Sequence, residues 1–165
     1  MIYLVVVFLT FGCLVLQSTV LQYLTVGGVT PGLVLVVAVL CSIFQEPKRG
    51  TVIGAICGLM EDIFLGRFIG MNALAKGLTS LIIGWFAQRA FRENILLPIM
   101  AMFLATLFNE AVFLIIGKIA GLQWAWELWF WKAIPLAIYN TCLIPFIYIP
   151  IYNWFTRKKE DDYSL

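Results

Sequence analysis

The sequence contains no histidine, so the commonest general base and metal ligand are missing. Charge is also scarce: 12% of the 165 residues are Asp, Glu, Lys or Arg, against about 25% in a soluble domain. No stretch is polar enough, over enough length, to form a separate water-soluble domain. A net charge of +2 with scattered basic residues argues against nucleic-acid binding. There is no CxxC, and Cys13, Cys41, Cys57 and Cys142 each lie in an apolar run. They read as small core residues, not as a disulfide or a metal set. Nucleophile elbow, Walker loop, dinucleotide fingerprint and HExxH are all absent. The residues therefore offer no catalytic, cofactor-binding or metal site beyond one conceivable intramembrane carboxylate pair, Asp62 with Glu110. A carboxylate near a helix end more often packs against a base, and Arg67 and Lys76 are close in sequence. The reading is non-enzymatic.

What the chain has in abundance is apolar surface: 62% of residues are hydrophobic and mean hydropathy is +0.97. Such a chain cannot cover itself with polar groups, so lipid is the expected solvent for most of it. The expectation is one integral membrane domain over residues 1–165, an all-α polytopic bundle of about six spans. These fall at Ile2–Leu24, Pro31–Phe44, Gly50–Leu65, Ala73–Ala90, Ile95–Gly117 and Ala133–Trp154, judged against about 20 residues per crossing. The first lacks a basic start and an A-x-A-like site, so it reads as a retained span rather than a signal peptide. The segment 119–131 contains Trp124, Trp126, Trp129 and Trp131, which suits the headgroup level, and is expected to be interfacial or re-entrant. Pro135, Pro145 and Pro150 interrupt the last helix, and residues 155–165 read as a soluble cytoplasmic tail.

Basic residues set the expected orientation. One side receives Lys48, Arg49, Arg89, Arg92, Arg157, Lys158 and Lys159; the other receives Arg67, Lys118, Lys132 and Lys76. That bias predicts both termini in the cytoplasm. Lys76 itself is expected near a helix end, where its long side chain can snorkel to the interface.

The sharpest local pattern is a row at every fourth position: Gly50, Gly54, Gly58, Asp62, Gly66 and Gly70, closing on Asn72. Four residues overshoot one helical turn by only about 40°, so neighbours in the row share a face. Small residues there allow close helix approach, the way membrane helices pack. Asp62 sits in the same row, where a carboxylate requires a partner, water or a proton. Two readings follow: a packing stripe that ends in a polar cap, or a functional turn around Asp62. Asn109 and Glu110 lie deep in the fifth span, where an acid is a functional candidate unless it hydrogen-bonds a neighbouring helix or is protonated. Asn140 is the corresponding polar position in the last span.

These stretches carry a resemblance. LQSTVL, PGLVLVV, GAICGLMEDIFLGRFIGMNALAKGLTSLIIGW and IPLAIYNTCLIPF together resemble the bacterial MreD family over nearly the whole chain. The family signature falls on Gly54, Gly58, Leu59, Asp62, Gly66, Gly70, Asn72, Ala73 and Leu74, with the last-helix pattern around Asn140. Gly32 stands where the family usually carries Asp or a similar polar residue. The resemblance implies a cell-shape role in the inner membrane, in the elongation complex that supports peptidoglycan synthesis. It implies MreC as first partner, links to MreB, RodA and a penicillin-binding transpeptidase, and no cofactor. It also implies a fold similar to the S component of energy-coupling-factor transporters. A vitamin-binding S component is accordingly the alternative function, since fold does not dictate function.

Overall fold

The computed structural model describes the backbone of residues 2–25, 28–66, 68–89, 96–122 and 126–163. Side chains at 2, 22, 24, 89, 96, 126–128, 130, 150 and 152–163 are not described. Arg67, Arg92 and Trp124, named above, therefore lie outside the described residues, as do the side chains of Trp126 and Arg157–Lys159. Among the described residues six α-helices follow one another: α1 (Ile2–Thr19), α2 (Leu33–Phe44), α3 (Pro47–Leu65), α4 (Met71–Arg89), α5 (Leu96–Ile119) and α6 (Trp126–Tyr163). A 3-10 turn, Leu21–Leu24, follows α1. No β-strand occurs among the described residues.

α2 is the hub. It is apolar on every face, the pattern of a fully surrounded helix, and every residue from Val34 to Ile43 is buried. Leu35, Val36, Val39, Leu40 and Ile43 pack with Ile83, Met102, Ala105, Ile144 and Tyr148, joining α2 to α4, α5 and α6. Its other side, with Val34, Val37, Ala38 and Cys41, meets Val6 and Leu14 of α1 and Ile53 and Cys57 of α3. A hydrogen-bonding contact of 3.2 Å between Thr10 Oγ1 and Cys57 Sγ ties α1 to α3.

The outside of the bundle carries many large apolar side chains. Leu4, Phe8 and Phe11 on α1, Trp85 and Phe86 on α4, Met100 and Leu104 on α5 and Phe146 on α6 are all exposed. Contiguous apolar surface of this kind suits hydrocarbon, not water. Among the described residues two helical stretches are long and apolar enough to cross a membrane: Leu97–Ile119, with mean hydropathy 2.2, and Trp131–Ile149, with 1.4. α3 and α4 have 19 residues each, or about 28 Å. Their lower hydropathy comes from glycines and polar residues that face each other.

Several boundaries differ from the sequence expectation. α3 starts at Pro47, not Gly50, because proline at the first helical positions forfeits only a donor that would be orphaned there. From Trp126 onward the Trp-rich stretch forms the opening turns of α6 and is continuous with the last span. α6 passes through Pro135, Pro145 and Pro150 without a break, each proline removing one donor that the bundle can absorb. It also continues to Tyr163, so 155–163 is helix, not irregular tail. Extending an existing helix adds one bond per residue fixed, without the cost of nucleation. At 38 residues α6 is about 57 Å long, well beyond a hydrocarbon core of about 30 Å.

Candidate functional site

The α3–α4 hairpin is the largest helix–helix interface of the bundle, and glycines make it possible. A methyl group at Gly58 would collide with the backbone of Asn72 and come within 2.6 Å of the Ala73 Cα. At Gly54 it would come within 2.6 Å of the Lys76 carbonyl oxygen and strike the Ser80 side chain. Gly50 instead faces Ser42 of α2, at 3.1 Å. Gly50, Gly54 and Gly58 thus point into the bundle. α4 answers with its own small residues, Ala73, Gly77, Ser80 and Gly84; a methyl at Gly77 would rest 3.5 Å from the Ala55 Cβ. The sequence reading marked only the α3 side, though the α4 spacing was a readable signal.

The chain reverses between Gly66 and Gly70, both at positive φ, 64° and 102°, where residues with a Cβ are strained. Gly66 terminates α3, its N–H donating to the Asp62 carbonyl at 2.9 Å. The Asp62 side chain, 2% exposed, crosses to the start of α4. Its Oδ2 accepts from the N–H groups of Gly70 (2.8 Å) and Ala73 (3.1 Å). Its Oδ1 accepts from the N–H (3.1 Å) and the amide Nδ2 (2.9 Å) of Asn72. A carboxylate has about four acceptor sites, and all four hydrogen bonds come from residues 70–73. The negative charge also sits at the N-terminus of α4, where the helix dipole favours it. No lone pair is left over for a dyad with Glu110.

The network continues inward. Asn72 presents its Nδ2 to Asp62 and its Oδ1 to the Lys76 ammonium, 2.8 Å away. Lys76 Nζ also lies 2.8 Å from Glu61 Oε2, an ion pair off the ideal hydrogen-bond direction. Lys76 is 4% exposed, so it does not snorkel; it bridges Glu61 and Asn72 inside the bundle. Two carboxylates, one ammonium and one amide therefore cement the end of α3 to the first turns of α4. Glu61 and Lys76 are the members sequence reasoning undervalued. Their partnership needs the hairpin, which sequence spacing alone does not show.

A second polar knot lies elsewhere. Asn140, fully buried in α6, accepts through Oδ1 from the Gly32 N–H at 2.8 Å and donates through Nδ2 to Thr106 Oγ1 at 3.3 Å. α2 lacks a side-chain cap of its own at Gly32, and Asn140 brings the polar group from α6. Asn109 is buried and reaches only its neighbour, Nδ2 to Glu110 Oε1 at 3.4 Å, leaving Oδ1 without a partner. Glu110 itself is half-buried on α5. The structure thus joins Asp62, Gly70 and Asn72 in one site and holds Asn140 in a separate one. No cluster of three or more His, Cys, Asp or Glu suited to a metal occurs among the described residues.

The family model described as rod shape-determining protein MreD matches residues 1–158. No curated protein and no solved structure matches the chain.

Proposed function

The chain belongs to the MreD family, a family of membrane proteins with a role in rod cell shape, and we propose that it acts as a non-enzymatic scaffold that binds MreC. The observation that carries this reading is the family match over residues 1–158. In this proposal the six helices cross the inner membrane with both termini in the cytoplasm, and the fold is of the S-component type. The bundle offers the MreC transmembrane helix a rigid surface and so supports peptidoglycan synthesis by the elongation complex, including MreB, RodA and the penicillin-binding transpeptidase.

The structure bears on which face would dock. Gly50, Gly54 and Gly58 are occupied by α2 and α4, so they are not offered to a partner. The α3–α4 turn is different: Asp62 rigidifies it from within, while Phe68 (43%) and Ile69 (76%) stand exposed. We place the MreC contact on this apolar turn. Depletion in a rod-shaped host should give rounded, swollen cells, and MreC should co-purify with the wild-type protein but less with Ile69→Glu. Cells that stay rod-shaped on depletion but require a vitamin would move the chain to the transporter alternative.

A further inference from the structure

A cleft of about 160 Å³ opens between the end of α1, the segment leading into α2 and the last turns of α3. Its polar lining is Gln17, Ser18, Thr30 and Glu61; Phe64 and Leu65 form an apolar shoulder. The volume is close to that of an engineered cavity of about 150 Å³ that holds benzene, so a group of several heavy atoms fits.

Three features specify what that group should be. The Gln17 Oε1 is buried with no hydrogen-bond partner, a cost that a donor in the cleft would remove. Ser18 has already committed its proton to the Val15 carbonyl, at 3.0 Å, so its oxygen meets the cleft as an acceptor. Beside the cleft, Glu61 Oε2 is paired with the Lys76 ammonium at 2.8 Å yet receives no hydrogen bond in good geometry, while the adjacent Asp62 carboxylate is held by N–H groups of residues 70–73 rather than by a cation, so two carboxylates stand against one ammonium. Acceptors with excess negative charge favour a cationic donor. Phe64 and Leu65 are exposed next to them, at helix ends, where a lipid headgroup meets its acyl chains.

We propose that this cleft binds the primary ammonium headgroup of a phosphatidylethanolamine, with Gln17 and Glu61 receiving its N–H groups and Phe64 and Leu65 supporting the first acyl carbons. The proposal does not rest on the MreC contact. Phosphatidylcholine has the same charge and shape class but no N–H to donate, so it is the discriminating ligand.

The test uses the purified full chain in detergent micelles, titrated with dioctanoyl phosphatidylethanolamine, dioctanoyl phosphatidylcholine or free phosphoethanolamine. Thermal melting and native mass spectrometry follow the binding. The ethanolamine lipid should bind saturably and at least about tenfold more tightly than the choline lipid, a factor equal to about 1.4 kcal/mol. Gln17→Leu should abolish that preference; Thr30→Val provides a second variant should Gln17→Leu fail to fold. Competition by phosphoethanolamine would locate recognition in the headgroup and support the site. Equal binding of the two lipids, a preference that survives both substitutions, or failure of the ethanolamine lipid to bind while phosphoethanolamine does would overturn the proposal.

Discussion

Replacing Gly58 by Ala tests whether the α3–α4 contact is as close as the glycine row requires. The new methyl would sit 2.6 Å from the Ala73 Cα and closer still to the Asn72 backbone, and backbone cannot swing aside as a side chain can. The helices must separate, an overpacking cost of about 3 kcal/mol. Against this, alanine regains about 1 kcal/mol of helix propensity over glycine. The net loss of about 2 kcal/mol corresponds to a melting point lower by about 4–8 °C on the scale of domains of this size. The strain falls one turn before Asp62, so its hydrogen bonds to residues 70–73 should lengthen as well. Gly12→Ala is the internal control, because nothing lies within 4 Å of a methyl there; it should be neutral or slightly stabilising. Melting of both variants in detergent, followed by size-exclusion recovery, reads the difference. If Gly58→Ala melts within experimental error of Gly12→Ala, the close approach does not limit stability and the argument fails.

Asp62→Asn should destabilise measurably despite its matched volume, since both carboxylate oxygens accept and an amide NH2 would confront two N–H donors; a melting point unchanged from wild type would contradict the cap. Lys76→Met should cost about 3 kcal/mol by leaving the partly buried Glu61 without its counter-ion, whereas Lys76→Met with Glu61→Gln should recover much of it, as a double-mutant cycle would show. Asn140→Ala should cost about 1–3 kcal/mol by orphaning the Gly32 N–H, and thermal melting of that variant would check it. Reporter fusions should place Lys48 and the C-terminus in the cytoplasm and Gln123 outside; a cytoplasmic signal at Gln123 would require another topology.

By itself the sequence determined the class of the molecule. Its long continuous apolar runs point to helices in lipid, each satisfying its backbone groups within its own segment. The special character of the Asp62–Asn72 turn was equally legible, because glycine spacing and acidic residues in an apolar run are local signals. Tertiary structure decided the partners. A four-spaced small row states that something comes close, but not whether it is a helix of the same chain; here it is α4, with α2 at Gly50. Lys76 looked like a snorkelling side chain until the hairpin set it against Glu61. Gly32 looked like a lost polar group until α6 delivered Asn140, 108 residues away in sequence, to its N–H. The physical reason is the same in each case. Helix periodicity is written in neighbouring residues, whereas the pairing of buried polar groups depends on which helix faces which, and only the packed bundle settles that.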